Sequence, residues 1–190
     1  MKRTKTTFSI MAIVFGLTMP AQMALADRAD REDNLPPLPV LTGEWWQWAL
    51  SIPISVNPLL DTTGERCMIA QRGSIWFLTG VNGGGSATLT CSVPEDTTLF
   101  FPVINSFFVN TPNCGQGPEN VKVKLLRTLV KPFIDAAENL SVTVDDEVKK
   151  TLLRRVQSKP FAVAFPADNI FGPDGCATGY PSRREFIHHP

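Results

Sequence analysis

Histidine is nearly absent from this chain: there are two, His188 and His189, adjacent at the end. Without another, neither a Ser/His/Asp nor a Cys/His arrangement can be built in a core, and histidine-ligated zinc is disfavoured. The pair itself reads as a solvated tail rather than a metal site. No Cys-x-x-Cys spacing occurs among Cys67, Cys91, Cys114 and Cys176, which argues against a thioredoxin-type redox site or a zinc ribbon. No cofactor is expected. Beyond the N-terminus no stretch approaches the roughly 18 uninterrupted apolar residues of a membrane helix. Basic excess is missing too. Once Lys2, Arg3 and Lys5 are set aside, 15 basic side chains face 18 acidic ones. Such a balance supplies no electrostatic reason to seek nucleic acid or anionic lipid. No internal repeat is visible.

What is present begins with a basic start, an apolar run over residues 8–17, Pro20 and the small-residue pattern Ala24-Leu25-Ala26. These are the three parts of a secretory signal peptide, with cleavage expected after Ala26. The run is too short to span a bilayer. A soluble, exported chain is therefore expected, periplasmic or secreted. Residues 27–41 read as a flexible leader, charged at first and then proline-rich, 42–172 as a β-rich domain, and 173–190 as an irregular tail. Four cysteines in an exported chain favour disulfides over catalysis. Of the three possible pairings, Cys67–Cys91 is favoured, which leaves Cys114 and Cys176 to tie a later loop to the tail.

Residues 74–78 and 87–91 are β-type runs joined by a glycine-rich turn containing Asn82-Gly83, a hairpin signal. Residues 99–103 form a third apolar run, interrupted by Pro102. Upstream, residues 42–52 suit a short helix capped by Thr42, with Trp45, Trp48, Ala49 and Ile52 on one face. Val121, Leu125, Leu126, Leu129, Phe133, Ile134 and Ala137 recur at helical spacing, and Pro132 should kink or split that helix. Residues 140–144 alternate like a strand, 145–147 read as a turn, and 148–156 fit either a returning strand or a short helix. Residues 160–166 are a strand bounded by prolines. With 16 prolines, the pattern argues for a mostly β fold. The expected architecture is an antiparallel, jelly-roll-like β-sandwich with a helical insertion near 121–139.

Three indoles in four residues, Trp45, Trp46 and Trp48, cannot all enter one core from a short peripheral element. Either Trp46 faces outward as a flat stacking surface for a sugar ring or apolar partner, or all three pack around sheet edges with each N–H bonded to backbone. Carboxylates are the other chemistry. Glu44, Asp61, Glu65, Glu95, Asp96 and Asp168 are candidates, and glycoside hydrolysis needs two of them facing each other, but no spacing singles out a pair. Asp61, Thr63 and Glu65 alternate as calcium ligands do, although turn capping explains them more simply.

In order, Trp45-Trp46-Gln47-Trp48, Asn57-Pro58 with Asp61 and Gly64, Cys67, Gln71-x-Gly73-x-Ile75-Trp76-Phe77-Leu78, Cys91-x-Val93-Pro94, Phe100-Phe101-Pro102-Val103-Ile104-Asn105 and Asp168-Asn169-Ile170-Phe171-Gly172 are the blocks that carry a resemblance. From Gly43 to Gly172 the chain resembles a family of small exported bacterial proteins of unassigned function. The resemblance implies no catalytic residue. It implies further strands after Gly172, so a truncated or frame-shifted end with an unpaired sheet edge is expected here. Taken together, the expectation is a non-enzymatic binding or structural module that contacts glycan or protein through Trp45, Trp46 and Trp48, with Asp61 nearby. The alternative is a carboxylate-based hydrolase acting on glycans.

Overall fold

The computed structural model describes residues 35–82, 85–110, 117–171 and 184–189, the last stretch and Lys150 by backbone alone. The expected signal peptide, the charged part of the leader, Gly83 in the hairpin turn, Cys114 and Cys176 lie outside the described residues.

The chain enters through Leu35–Pro37 into α1, Leu38–Leu50. Pro39 sits in the first turn, where a missing N–H costs no helical bond. The helix thus starts four residues before the expected one. Thr42 is inside it rather than capping it. Trp45, Trp46, Trp48, Ala49 and Leu50 are all buried, as is Ile52 just beyond, so this helix is apolar on most of its circumference and lies in the core. Asn57, fully buried, closes its C-terminal end. Its Nδ2 donates to the carbonyls of Ala49 (2.9 Å) and Ile52 (2.8 Å), and its Oδ1 accepts from the Leu59 N–H (2.9 Å). Those are carbonyls that a helix end leaves orphaned.

Beyond two single-turn 3₁₀ helices come β1, Ile75–Phe77, and β2, Thr98–Phe100, which pair in parallel. The expected hairpin does not form: residues 85–94 adopt no strand. The reason is a competing tie. The Thr90 N–H donates to the Thr63 carbonyl at 2.8 Å, and Cys67 and Cys91 are joined in a disulfide with Cα atoms 5.9 Å apart. Residues 90–91 are thereby drawn to the loop before β1, and β2 takes the ladder position. The favoured cysteine pairing is present, but it links two loops. The outer edge of β1 is covered by a side chain: Gln71 donates to the Phe77 carbonyl (2.7 Å) and accepts its N–H (3.0 Å). This leaves no free ladder group at Phe77 for another strand.

Next come β3, Ser106–Val109, and α2, Val123–Asp135. The latter runs unbroken through Pro132, so of the expected kink or split the split does not occur: proline removes only its own N–H bond to the Thr128 carbonyl, and the buried stripe on either side holds the helix together. Leu126, Val130 and Ile134 form its buried stripe, packed toward β3. A two-residue hairpin follows, β4 (Thr143–Val144) with β5 (Glu147–Val148). Its turn residues Asp145 and Asp146 have φ of 50° and 63°, the left-handed pair that a tight hairpin demands and that Asp tolerates. Then come β6, Phe161–Val163, and β7, Arg184–His189. The last, expected to be irregular tail, instead lies between β3 and β6 as the centre of an antiparallel three-stranded sheet.

The antiparallel β-sandwich is therefore corrected to a mixed α/β arrangement. The described strands have two to six residues and form three small sheets, too little to make two facing layers. The core is built on α1 instead, with Gly43 so close to β6 that an added Cβ would lie 3.2 Å from the Phe161 ring. Among the described residues no helix is long and apolar enough to cross a membrane.

Candidate functional site

The apolar run 99–104 is longer than β2 needs. Pro102 cannot donate to a ladder, and the strand stops at Phe100. Phe100 turns inward, its ring 5.9 Å from Phe77, while Leu99, Phe101, Val103 and Ile104 stay more than a third exposed. They form one wall of a trough. Leu38 and Thr42 of α1 form another, Ile134 and Ala137 at the end of α2 a third, and Leu140, Val142 and residues 152–156 complete it. The trough holds about 460 Å³. That is within the range of small-molecule sites, which are mainly apolar with a few placed polar groups.

The polar groups here are few. Thr42 is only 8 % exposed, and its Oγ1 has no hydrogen-bond partner among the described residues. Two charged residues line the trough, Arg154 and Arg155, and no acidic one does. Arg155 Nη2 is committed to Asp135 Oδ1 at 2.5 Å. Lys131 pairs with the other oxygen of the same carboxylate, and hydrogen bonds from Lys131 and Arg155 hold the Asp135 carboxyl below its ordinary range. Arg154 Nη1 donates to the neighbouring Leu153 carbonyl at 3.0 Å and forms no ion pair among the described residues. Sequence reading missed this site. Its one visible signal was an apolar run that crosses a proline without alternating.

The tryptophans do not make a surface. Trp45, Trp46 and Trp48 are 2 %, 6 % and 7 % exposed. The Trp45 indole N–H donates to the Leu78 carbonyl (2.9 Å) and that of Trp48 to the Ile69 carbonyl (3.0 Å). The Trp46 ring lies 4.4 Å from that of Phe107. Of the two arrangements weighed from the sequence, the packed one is present and an outward-facing Trp46 is not, because α1 is covered on several sides.

Asp61 is buried and occupied. Its Oδ1 accepts from the Thr63 N–H (2.9 Å) and hydroxyl (2.8 Å), and its Oδ2 from the Arg66 N–H (2.8 Å). Burial pushes this carboxyl up, but the backbone bonds from Arg66 and Thr63, with the Thr63 hydroxyl and the Gly64 N–H, outweigh it and bring it from 3.8 to about 2. A group held so low does not serve as a general acid near neutrality. Glu44 lines a separate open cleft beside Arg72, Asp61 a small cavity beside the disulfide, and Glu65, Glu95, Asp96 and Asp168 line neither. Asp168 accepts from the Ser55 hydroxyl at 3.2 Å. Neither cavity holds two of these carboxylates, and no group of three metal-ligating side chains occurs among the described residues.

A pH effect follows for Asp61. Its folded value lies below its unfolded one, so its contribution is complete above about pH 4 and is lost as pH falls toward 2. With solvent screening this amounts to about 1–2 kcal/mol. Melting curves from pH 6 to 2 should show Asp61→Asn losing less stability on acidification than the parent. Its amide retains the Thr63 bonds and cannot accept the Arg66 N–H. Parallel curves would contradict this role.

No family model, curated protein or solved structure matches the chain.

Proposed function

We propose that the chain is an exported binding module whose site is the trough between α1, β2 and the end of α2, holding the apolar part of a small amphipathic molecule. Export is supported by the signal-peptide pattern of residues 1–26 and by the Cys67–Cys91 disulfide, a bond that persists in oxidising compartments.

One observation carries the binding reading: Leu99, Phe101, Val103 and Ile104 stay exposed together around a trough of about 460 Å³ instead of packing into the core. A contiguous exposed apolar surface in a concave site marks a place where an apolar partner is held.

Val103→Asn, which puts an amide on the exposed wall, tests this. Val103 is 42 % exposed, so urea unfolding should stay within about 1 kcal/mol of the parent. Affinity for a fluorescent apolar amphiphile, 1-anilinonaphthalene-8-sulfonate, should fall about three- to tenfold, the worth of one buried apolar side chain. Unchanged probe affinity would overturn the reading.

A further inference from the structure

We infer that the trough is built for a single apolar chain ending in a carboxylate, with Arg154 as the group that pairs with the head. This rests on the trough being the binding site and adds the ligand's charge and class. In a chain with as many acidic as basic residues, the charged side chains lining the trough are both arginines. Asp135, the nearby carboxylate, is already paired with Lys131 and Arg155. Arg154 is exposed, has only the Leu153 carbonyl as an acceptor among the described residues, and keeps most of its guanidinium fork for something else. That planar fork matches a carboxylate in two parallel bonds. The wall beside it is apolar from Leu99 to Ile104 and across to Leu152, which suits a chain and not a sugar or a peptide rich in polar groups.

Calorimetric titration of the full chain with decanoate, dodecanoate and decan-1-ol tests the inference. Decanoate should bind at least threefold tighter than decan-1-ol. Dodecanoate should bind roughly fifteenfold tighter than decanoate, since each of its two extra methylenes changes affinity about fourfold when buried. Arg154→Gln should weaken decanoate three- to tenfold and leave decan-1-ol unchanged, and added salt should weaken decanoate alone. Equal affinities for acid and alcohol, or an Arg154→Gln variant that binds decanoate normally, would overturn the head-group assignment while the trough reading stands. Binding of neither compound would overturn both. Retention on phosphatidylglycerol vesicles without decanoate binding would overturn the assignment to a free single-chain ligand.

Discussion

Asn57→Ala should lower the free energy of unfolding by roughly 3–5 kcal/mol, a large part of the total for a domain of this size. The side chain is fully buried and makes three hydrogen bonds, to the carbonyls of Ala49 and Ile52 and from the N–H of Leu59. Alanine leaves all three backbone groups in place, dry and unpaired, each at about 1–3 kcal/mol. The loss falls on the end of α1, whose tryptophans form the core and whose Thr42 forms a wall of the trough. Asn57→Asp should be worse at neutral pH, because a carboxylate would face two carbonyl oxygens with nothing to donate. It should recover partly in acid, where a protonated oxygen can donate to one of them. Urea unfolding at pH 7 and pH 4 reads both effects. An alanine variant within 1 kcal/mol of the parent would show that the clip is incidental.

Gly64→Ala should cost about 2–4 kcal/mol. Gly64 has φ of +94°, and a Cβ placed there would lie 2.3 Å from the Thr90 carbonyl oxygen and 2.5 Å from its nitrogen. The obstacle is backbone, so it cannot rotate away. It is also the backbone that donates to the Thr63 carbonyl and is followed by disulfide-bonded Cys91. The substitution therefore strikes the tie that keeps residues 90–91 off the edge of β1. Gly73 is the internal comparison. Its φ is +72°, yet an added Cβ meets nothing within 4 Å. Gly73→Ala should show only the conformational penalty, about 1–2 kcal/mol. Unfolding curves for the two variants separate the clash from the dihedral, and equal losses would contradict the close approach.

Local signals in the sequence were read correctly where one segment decides the outcome. The proline-bounded run became β6, the heptad-like spacing became α2, and Asp145-Asp146 became a tight turn. Partnership was not legible. The β-type run 74–78 marks a strand but does not say whether residues 87–91 or 98–100 will pair with it. That choice falls to Gly64, to the Thr63–Thr90 bond and to the disulfide, which lie far apart in sequence. Trp45, Trp46 and Trp48 were visible as a cluster, but their burial depends on how many elements cover α1. Thr42 looked like a helix cap because Pro39 masks the true start, where proline is tolerated. The trough joins residues 38–42, 99–104, 134–142 and 152–156, and no single window contains it.

Methyl-resolved NMR of the full chain during titration with decanoate tests the central claim most directly. The account predicts saturable shifts among the methyls that line the trough, Val103, Ile104, Ile134, Ala137, Val142 and Leu152 included, with little change at Leu50 and Ile69 beside the tryptophan cluster. Shifts centred on that cluster, or a spectrum that decanoate leaves unchanged, would contradict it.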